Sequence, residues 1–304
     1  MFKRALITGG AGFIGSHICE KLLNSGKEAV IFDNLTVGSE NNIPKGAQFI
    51  KGDILDQKAL ESAMKGCDVV FHDAAFVSIR GSFEKLRHEL NSNCVGTLNV
   101  FEAAANSGVK KIVYASSMAV YGHPQNVLAK ESDLTIPNSF YGQSKLRGEE
   151  YAKFFEKECG LKSVCLRYFN TYGVKQTPSP YVGVTTIFIN NVLNGKPMVV
   201  YGDGLQTRDF VWVKDVAEAN YLAADSRISN EVFNVGSGVS CSILEIARLI
   251  QEKIGGEIEF GQVPPGEIRN ITADISKIKE KLNFKPEGEF KKEIVNIINW
   301  WKNR

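Results

Sequence analysis

The sequence predicts an α/β fold, a doubly wound parallel sheet carrying a smaller α+β substrate domain. Three observations support this. Short β-branched runs alternate with helix-length stretches through the first half, and strand-then-helix repeats imply parallel pairing through crossovers. A glycine-rich turn separates the first strand from the first helix. Beyond Tyr172 the pattern changes, with longer loops, prolines at 178, 180, 197, 264, 265 and 286, and short mixed strands.

RALIT (4–8) reads as a buried strand, and 13–25 as a helix with Ile14, Ile18 and Leu22 on one face. Residues 28–32 and 48–51 supply the second and third strands, 56–65 a helix, and DVVF (68–71) a fourth strand. A long helix is expected over 84–107, a strand over KIVYAS (111–116), a second long helix over 139–159, and then the strand SVCLRYF (163–169). In the second half MVVY, FVWV, VFNV and EIEF read as strands, with helices near 214–225, 242–253 and 289–303. The expected division is 1–172 and 173–304, with a strand near 231–238 returning to the first sheet. The smaller domain should sit over the carboxyl edge of the sheet, where ligands of open α/β sheets bind.

Composition narrows the function classes. Apolar residues make up 43% and charged residues 23%, as in an ordinary globular protein and unlike a disordered one. Thirty-six basic against 34 acidic residues leave +2, which makes no electrostatic case for nucleic acid or acidic lipid. No apolar run approaches the ~20 residues that span a bilayer, and MFKRALITGG is too short for a signal-peptide core. The six cysteines (19, 67, 94, 159, 165, 241) and four histidines (17, 72, 88, 123) are scattered. Neither a disulfide scaffold nor a metal site is expected, and a reducing cytoplasm fits.

Residues 8–16 read TGGAGFIGS. Gly9, Gly12 and Gly15 lie between a strand and a helix, where residues without Cβ let the backbone approach a pyrophosphate. The helix N-terminus adds free N–H groups and a positive dipole. Asp33 ends the second strand, 18 residues after Gly15. There a carboxylate accepts both hydroxyls of an adenosine ribose and repels a 2′-phosphate, which favours NAD over NADP and makes the fold Rossmann-like. GDI places Asp53 and Ile54 at the end of the third strand, with Asp53 toward the adenine amino group. FHDAA places Ala74 and Ala75 where small residues let the backbone pass close to the cofactor. His72 is expected to be a packed histidine.

Of nine tyrosines, only Tyr141 has a lysine four residues later, Lys145 in YGQSK. On a helix that spacing puts both side chains on one face. A free phenol, with a pKa of about 10, is a poor base at neutral pH. The ammonium and a cationic nicotinamide ring are expected to pull it down, by roughly 3–4 kcal/mol in free-energy terms. Ser117, at the end of the preceding strand, can share a proton with the same substrate oxygen.

TGGAGFIG, Asp33, GDI, FHDAA, SSMAVYG and YGQSK, in this order and spacing, resemble the extended short-chain dehydrogenase/reductase family. LRYFNTYG, GKPMVVYGDGLQTRDFVWVKDV, FNVGSG and PPGEIRNITADISK extend the resemblance over essentially the whole chain, closest to the nucleotide-sugar epimerases. It implies an NAD-dependent isomerase that inverts C4 of a UDP-sugar through a transient 4-keto sugar, acting on UDP-glucose and UDP-galactose or their N-acetylated forms. It also implies that Phe13 and Ile14 contact the pyrophosphate, Asp33 and Asn34 hold the adenosine ribose, and Asn93 lies near the cofactor. Lys145 would bind the nicotinamide ribose and bias Tyr141, with Ser117 beside the transferred proton. Asn170, Val199, Tyr201, Arg208, Arg269 and Ile271 would form the substrate side, Arg208 pairing with a diphosphate oxygen.

Two departures stand out. Many relatives read Arg-Pro-Gly-Asp where this chain has Pro264-Pro265-Gly266-Glu267, so Arg269 is the candidate replacement for the phosphate-binding arginine. Ile271 replaces a bulky Tyr in some 4-epimerases and a small residue in those taking N-acetylated sugars, which leaves the sugar open. Met118 and Ala119, where 4,6-dehydratases carry Asp-Glu, argue against dehydration. No signature of a decarboxylase is present, while a uronate 4-epimerase needs only one added cation and stays open. A non-catalytic NAD-binding module would be expected to lose Ser117, Tyr141 or Lys145. Finally, Leu98, Val100, Phe101 and Ala104 on one long helix, with Tyr151, Phe154 and Phe155 on the other, are the expected apolar stripes of a homodimer.

Overall fold

A computed structural model describes residues 2–77, 86–177, 183–264 and 267–303. Its strands, in chain order, are β1 (Arg4–Thr8), β2 (Glu28–Asp33), β3 (Gln48–Lys51), β4 (Val69–His72), β5 (Lys111–Ser117), β6 (Leu128–Ala129) and β7 (Lys162–Tyr168). They continue with β8 (Asn170–Tyr172), β9 (Met198–Tyr201), β10 (Thr207–Trp212), β11 (Glu231–Val235), β12 (Ser240–Ser242), β13 (Ile258–Gly261) and β14 (Asn270–Ala273). The helices are α1 (Phe13–Asn24), α2 (Gln57–Met64), α3 (Leu86–Glu89), α4 (Gly96–Asn106), α5 (Phe140–Cys159), α6 (Val184–Leu193), α7 (Val213–Asp225), α8 (Ile243–Ile254), α9 (Ser276–Leu282) and α10 (Phe290–Lys302).

Seven parallel strands form the main sheet in the order β11-β7-β5-β4-β1-β2-β3. The winding reverses between β1 and β4, and this switch point opens the crevice above their carboxyl ends. Apolar runs such as Ala5–Ile7 and Val30–Phe32 are buried on both faces, as parallel strands under two helical layers must be. One layer holds α1, α7 and α9, and the other holds α2, α4 and α5. β11 takes its place beside β7, with Asn234 opposite Arg167, so the chain crosses back into the first sheet after residue 230.

The remaining strands make a sheet ordered β12-β10-β14-β6, with β8 also on β10, and a pair β13-β9. α6, α8 and α10 pack on them around Phe188, Met198, Val200, Ile246 and Ile297. β6, β8, β12, β14, α6 and α9 were not among the elements expected from sequence. β6 and β14 show why: two residues at 128–129 acquire a partner only at 272–273.

The expected long helix over 84–107 is broken in character. From Leu86 it runs through a π-helical stretch, Leu90–Val95, into α4, and residues 84 and 85 lie outside the described part. The expected dimer stripe also needs correction. Val100, Phe101, Ala104 and Phe155 are buried in the chain's own core. What faces outward is Phe154, 58% exposed, with the half-buried Leu98 and Tyr151, around a groove of about 410 Å³ that Glu102, Arg147 and Glu150 also line. Among the described residues no helix is long and apolar enough to cross a membrane.

Candidate active site

The glycine turn is compact because side chains do not fit in it. Gly9 has φ +72°, and a Cβ there would stand 2.7 Å from the Ala74 backbone nitrogen; at Gly15 it would stand 2.4 Å from the Gly9 carbonyl oxygen. Gly12 donates to that same carbonyl at 3.0 Å and starts α1 without a side-chain cap, which leaves the N–H groups of Phe13 and Ile14 to an anion. Phe13 and Ile14 open the helix and pack against the smaller lobe's core.

Asp33 is buried at the end of β2. Its two oxygens accept from Ala11 N at 3.0 Å and Leu35 N at 2.8 Å. A carboxylate accepts about four hydrogen bonds, so acceptor capacity remains for a ribose diol. Asn34 donates to Asp53 at 2.9 Å, and Asp53 also accepts from Leu55 N. Ile54 is buried beside them, and Ala74 and Ala75 carry the chain past Gly9 after β4. These residues fit a dinucleotide with a free ribose. The Asn93 amide clasps Phe76 N and O at 2.7 and 2.8 Å and donates to Ser144 Oγ at 3.2 Å, so it braces the exit of β4 against α5. His72 is the packed residue expected, bridging the Thr8 and Thr97 hydroxyls, with burial pushing its imidazole down to about 3.

Tyr141 lies in the first turn of α5, whose N-terminus is capped by Ser139 Oγ accepting from Gly142 N at 3.1 Å. Ser117 stands beside the phenol and favours its ionised form, and its Oγ accepts from Ala119 N at 3.2 Å. Lys145 sits one turn on, its Nζ donating to the Ala115 carbonyl at 2.7 Å and standing 5.8 Å from the Tyr141 ring centre. The three expected residues are therefore brought together. The expected phenol shift is not: burial outweighs the Ser117 contact and raises the Tyr141 pKa, with Asp73 and Glu89 adding to the rise. Burial likewise lowers Lys145.

Asp73, whose role the sequence reading missed, explains part of this. Its carboxyl accepts from the Gly15 N–H and faces Lys145 and Asp33. Burial raises it well above the carboxylate range, against the pull of the lysine. The FHDAA motif drew attention to its alanines, and a carboxylate embedded among small residues was the available signal.

On the substrate side Asn170 heads β8, with its buried Oδ1 unpartnered among the described residues. Val199 and the exposed Tyr201 lie on β9. Arg208 is buried in β10 and held by the Thr207 carbonyl at 2.8 Å and by Glu267 at 2.6 Å. Arg269 is exposed and makes a two-pronged contact with Asp203, both distances 2.7 Å. Ile271 is fully buried on β14 opposite Arg208, a core position shared with Ala129 and Ala273. Pro265 and Gly266 lie outside the described residues. Among the described residues no cluster of His, Cys, Asp or Glu is arranged to hold a metal ion.

A family-wide sequence profile, the NAD dependent epimerase/dehydratase family, matches residues 5–236. The chain belongs to that family. A Methanocaldococcus jannaschii member, provisionally named UDP-glucose 4-epimerase, is 42% identical over 302 residues, covering 98% of each chain. The solved UDP-N-acetylglucosamine 4-epimerase of Methanobrevibacter ruminantium, in complex with UDP-N-acetylmuramic acid, superposes with a TM-score of 0.94 at 38% identity, covering 99% of this chain and 98% of that one. UDP-glucose 4-epimerase of Thermus thermophilus, complexed with NAD, gives 0.91 at 36%, covering 98% and 99%. Family membership fits a site in which a dinucleotide loop and a Ser-Tyr-Lys group share one crevice.

Proposed function

We propose that the protein is an NAD-dependent UDP-sugar 4-epimerase interconverting UDP-glucose and UDP-galactose, with the N-acetylated pair as the wider range. The single observation that supports this reading is the Ser117–Tyr141–Lys145 group at the carboxyl end of β5, beside Asp73, which in turn faces Asp33 and Gly15 of the glycine turn. Bound there, NAD would supply a reversible hydride acceptor for sugar C4, and inversion would follow from presenting the opposite face of the keto sugar to it. Tyr141 removes the O4 proton and later gives it back, and Ser117 orients that oxygen through its hydroxyl. Burial makes the phenolate costly, so positive charge must come from Lys145 and from the nicotinamide ring of the oxidised cofactor. Fixing base and sugar carbon together is the protein's main contribution. Gly9, Gly12, Phe13, Ile14 and Gly15 would cradle the pyrophosphate, and Asp33 with Asn34 would hold the adenosine ribose.

Residues 173–304 would carry most of the nucleotide–sugar site. Asn170 Oδ1 has capacity for a donor from the diphosphate–sugar region. Arg208 would exchange Glu267 for a diphosphate oxygen, a charge-assisted contact that suits guanidinium. Arg269, tied to Asp203 in the open, is a poor substitute for the arginine missing at 264. The outward stripe of Leu98, Tyr151 and Phe154 suits pairing with a second copy of the chain.

The test is incubation with UDP-glucose, UDP-N-acetylglucosamine and UDP-glucuronate separately, without added NAD. The expected product is the C4 epimer of one or both neutral sugars at unchanged mass. Loss of water or carbon dioxide, or inversion of the uronate alone, would overturn the reading.

A further inference from the structure

The last three residues of β5 each meet one turn of α5. Ser117 stands beside the Tyr141 phenol, the Ala115 carbonyl accepts from Lys145 Nζ at 2.7 Å, and the Ser116 hydroxyl donates to Glu149 at 2.6 Å. Tyr141, Lys145 and Glu149 are successive i, i+4 neighbours, so they form one stripe along the helix. Between strand and helix there is no slack: a Cβ at Gly148 would lie 2.2 Å from the Tyr114 ring.

Glu149 is the far anchor of that stripe. It is 2% exposed, and its carboxylate takes the Arg167 guanidinium at 2.9 and 2.8 Å. Arg167 stands on β7 opposite Ser116. Its third nitrogen donates at 2.9 Å to the Tyr121 hydroxyl, which donates at 2.7 Å to Asn234 Oδ1 on β11. Tyr121 ends the single helical turn that follows Ser117. Helix, turn and three strands are thus joined through one buried ion pair. Stability alone does not explain it, because a buried pair is often no better than apolar residues of the same shape. What it adds is a charged tie that links α5 to β5 and β7 together, one turn beyond the Lys145–Ala115 bond.

We propose that Glu149 and Arg167 are positioning residues that set the axial register of α5 and so the distance of Tyr141 and Lys145 from Ser117. The inference rests on the epimerase reading for its kinetics but not for its geometry. A misplacement of about 1 Å can cost about 100-fold in rate. Glu149→Gln keeps the shape of the side chain and is expected to lower kcat by about that factor, with the KM for UDP-sugar and the retained NAD unchanged.

An unpaired Arg167 can itself destabilise the protein, so the deciding variant is the double Glu149→Gln/Arg167→Gln, which leaves no charge uncompensated. It is expected to melt near the wild-type temperature with kcat still depressed. A crystal structure of it is expected to show α5 displaced along its axis and the Lys145–Ala115 bond lengthened. Wild-type kcat in the double variant overturns the proposal, as does an unmoved helix. If the wild-type protein turns over no UDP-sugar, the functional reading fails, and the helix position in the double variant still decides this one.

Discussion

The corner where β5 meets α5 and the ion pairs around Arg208 hold their charges in different ways. At the corner every polar group is buried and bonded to backbone or to a second buried group: Lys145 to Ala115, Ser116 to Glu149, Glu149 to Arg167. Around the proposed diphosphate site, cations pair with carboxylates nearer to water, Arg208 with the partly buried Glu267 and Arg269 with the exposed Asp203. The first arrangement resists exchange, since any partner removed leaves a desolvated charge. The second exchanges readily, because solvent and an incoming anion can replace the carboxylate. A rigid reacting end and an exchangeable anchoring end suit a reaction in which the sugar must turn over while its nucleotide stays held.

The contrast is most sharply tested at Tyr141. Tyr141→Phe is expected to lower kcat by about 1,000-fold, within the range for a positioned general base, while the protein still copurifies with NAD. Retained activity would show that the corner is not where the proton moves.

Asp73→Asn tests a charge that belongs to neither arrangement. The folded protein raises this carboxyl, so its contribution to stability is present at acid pH and lost as pH rises through the raised value. Ionised, it would also oppose a pyrophosphate at the Gly15 N–H. NAD affinity of the wild type is therefore expected to fall with rising pH, by severalfold, and Asp73→Asn to abolish that slope. Calorimetric titrations at several pH values measure it.

Glu267→Gln removes the competitor for Arg208. KM for UDP-sugar is expected to fall severalfold, with kcat unchanged, because the diphosphate no longer has to displace a carboxylate from the buried Arg208 guanidinium. Arg269→Ala, at the exposed pair, should alter KM by less than about twofold; a larger loss would mean that Arg269 does replace the arginine missing at 264.

Most of the main sheet was legible because each strand is a contiguous apolar run flanked by glycine or a charged turn, as in RALIT before TGG. β6, β8, β12 and β14 were not, since segments of two to four residues carry no periodicity and acquire partners from distant chain. The π-helical stretch at Leu90–Val95 keeps a helical composition, so nothing in ELNSNCVGT distinguishes it. Tyr141 and Lys145 were found by spacing, and Ser117 by its place at the end of the preceding strand. The direction of the Tyr141 pKa was not legible, because burial, which the sequence does not display, outweighs the Ser117 contact that favours the phenolate. Glu149 could have been found by extending the same spacing one turn beyond Lys145.

The return of β11 to the main sheet limits how this molecule can be divided. A fragment ending at residue 172 would lack the strand that covers β7, and also α7, whose Val216, Ala217 and Ala223 complete one face of the core. The bare edge of β7 would offer unpaired N–H and C=O groups to any passing chain, and so a template for aggregation. Expressing the dinucleotide half on its own is expected to yield insoluble material, whereas grafting residues 213–235 back through a short linker should recover a soluble one.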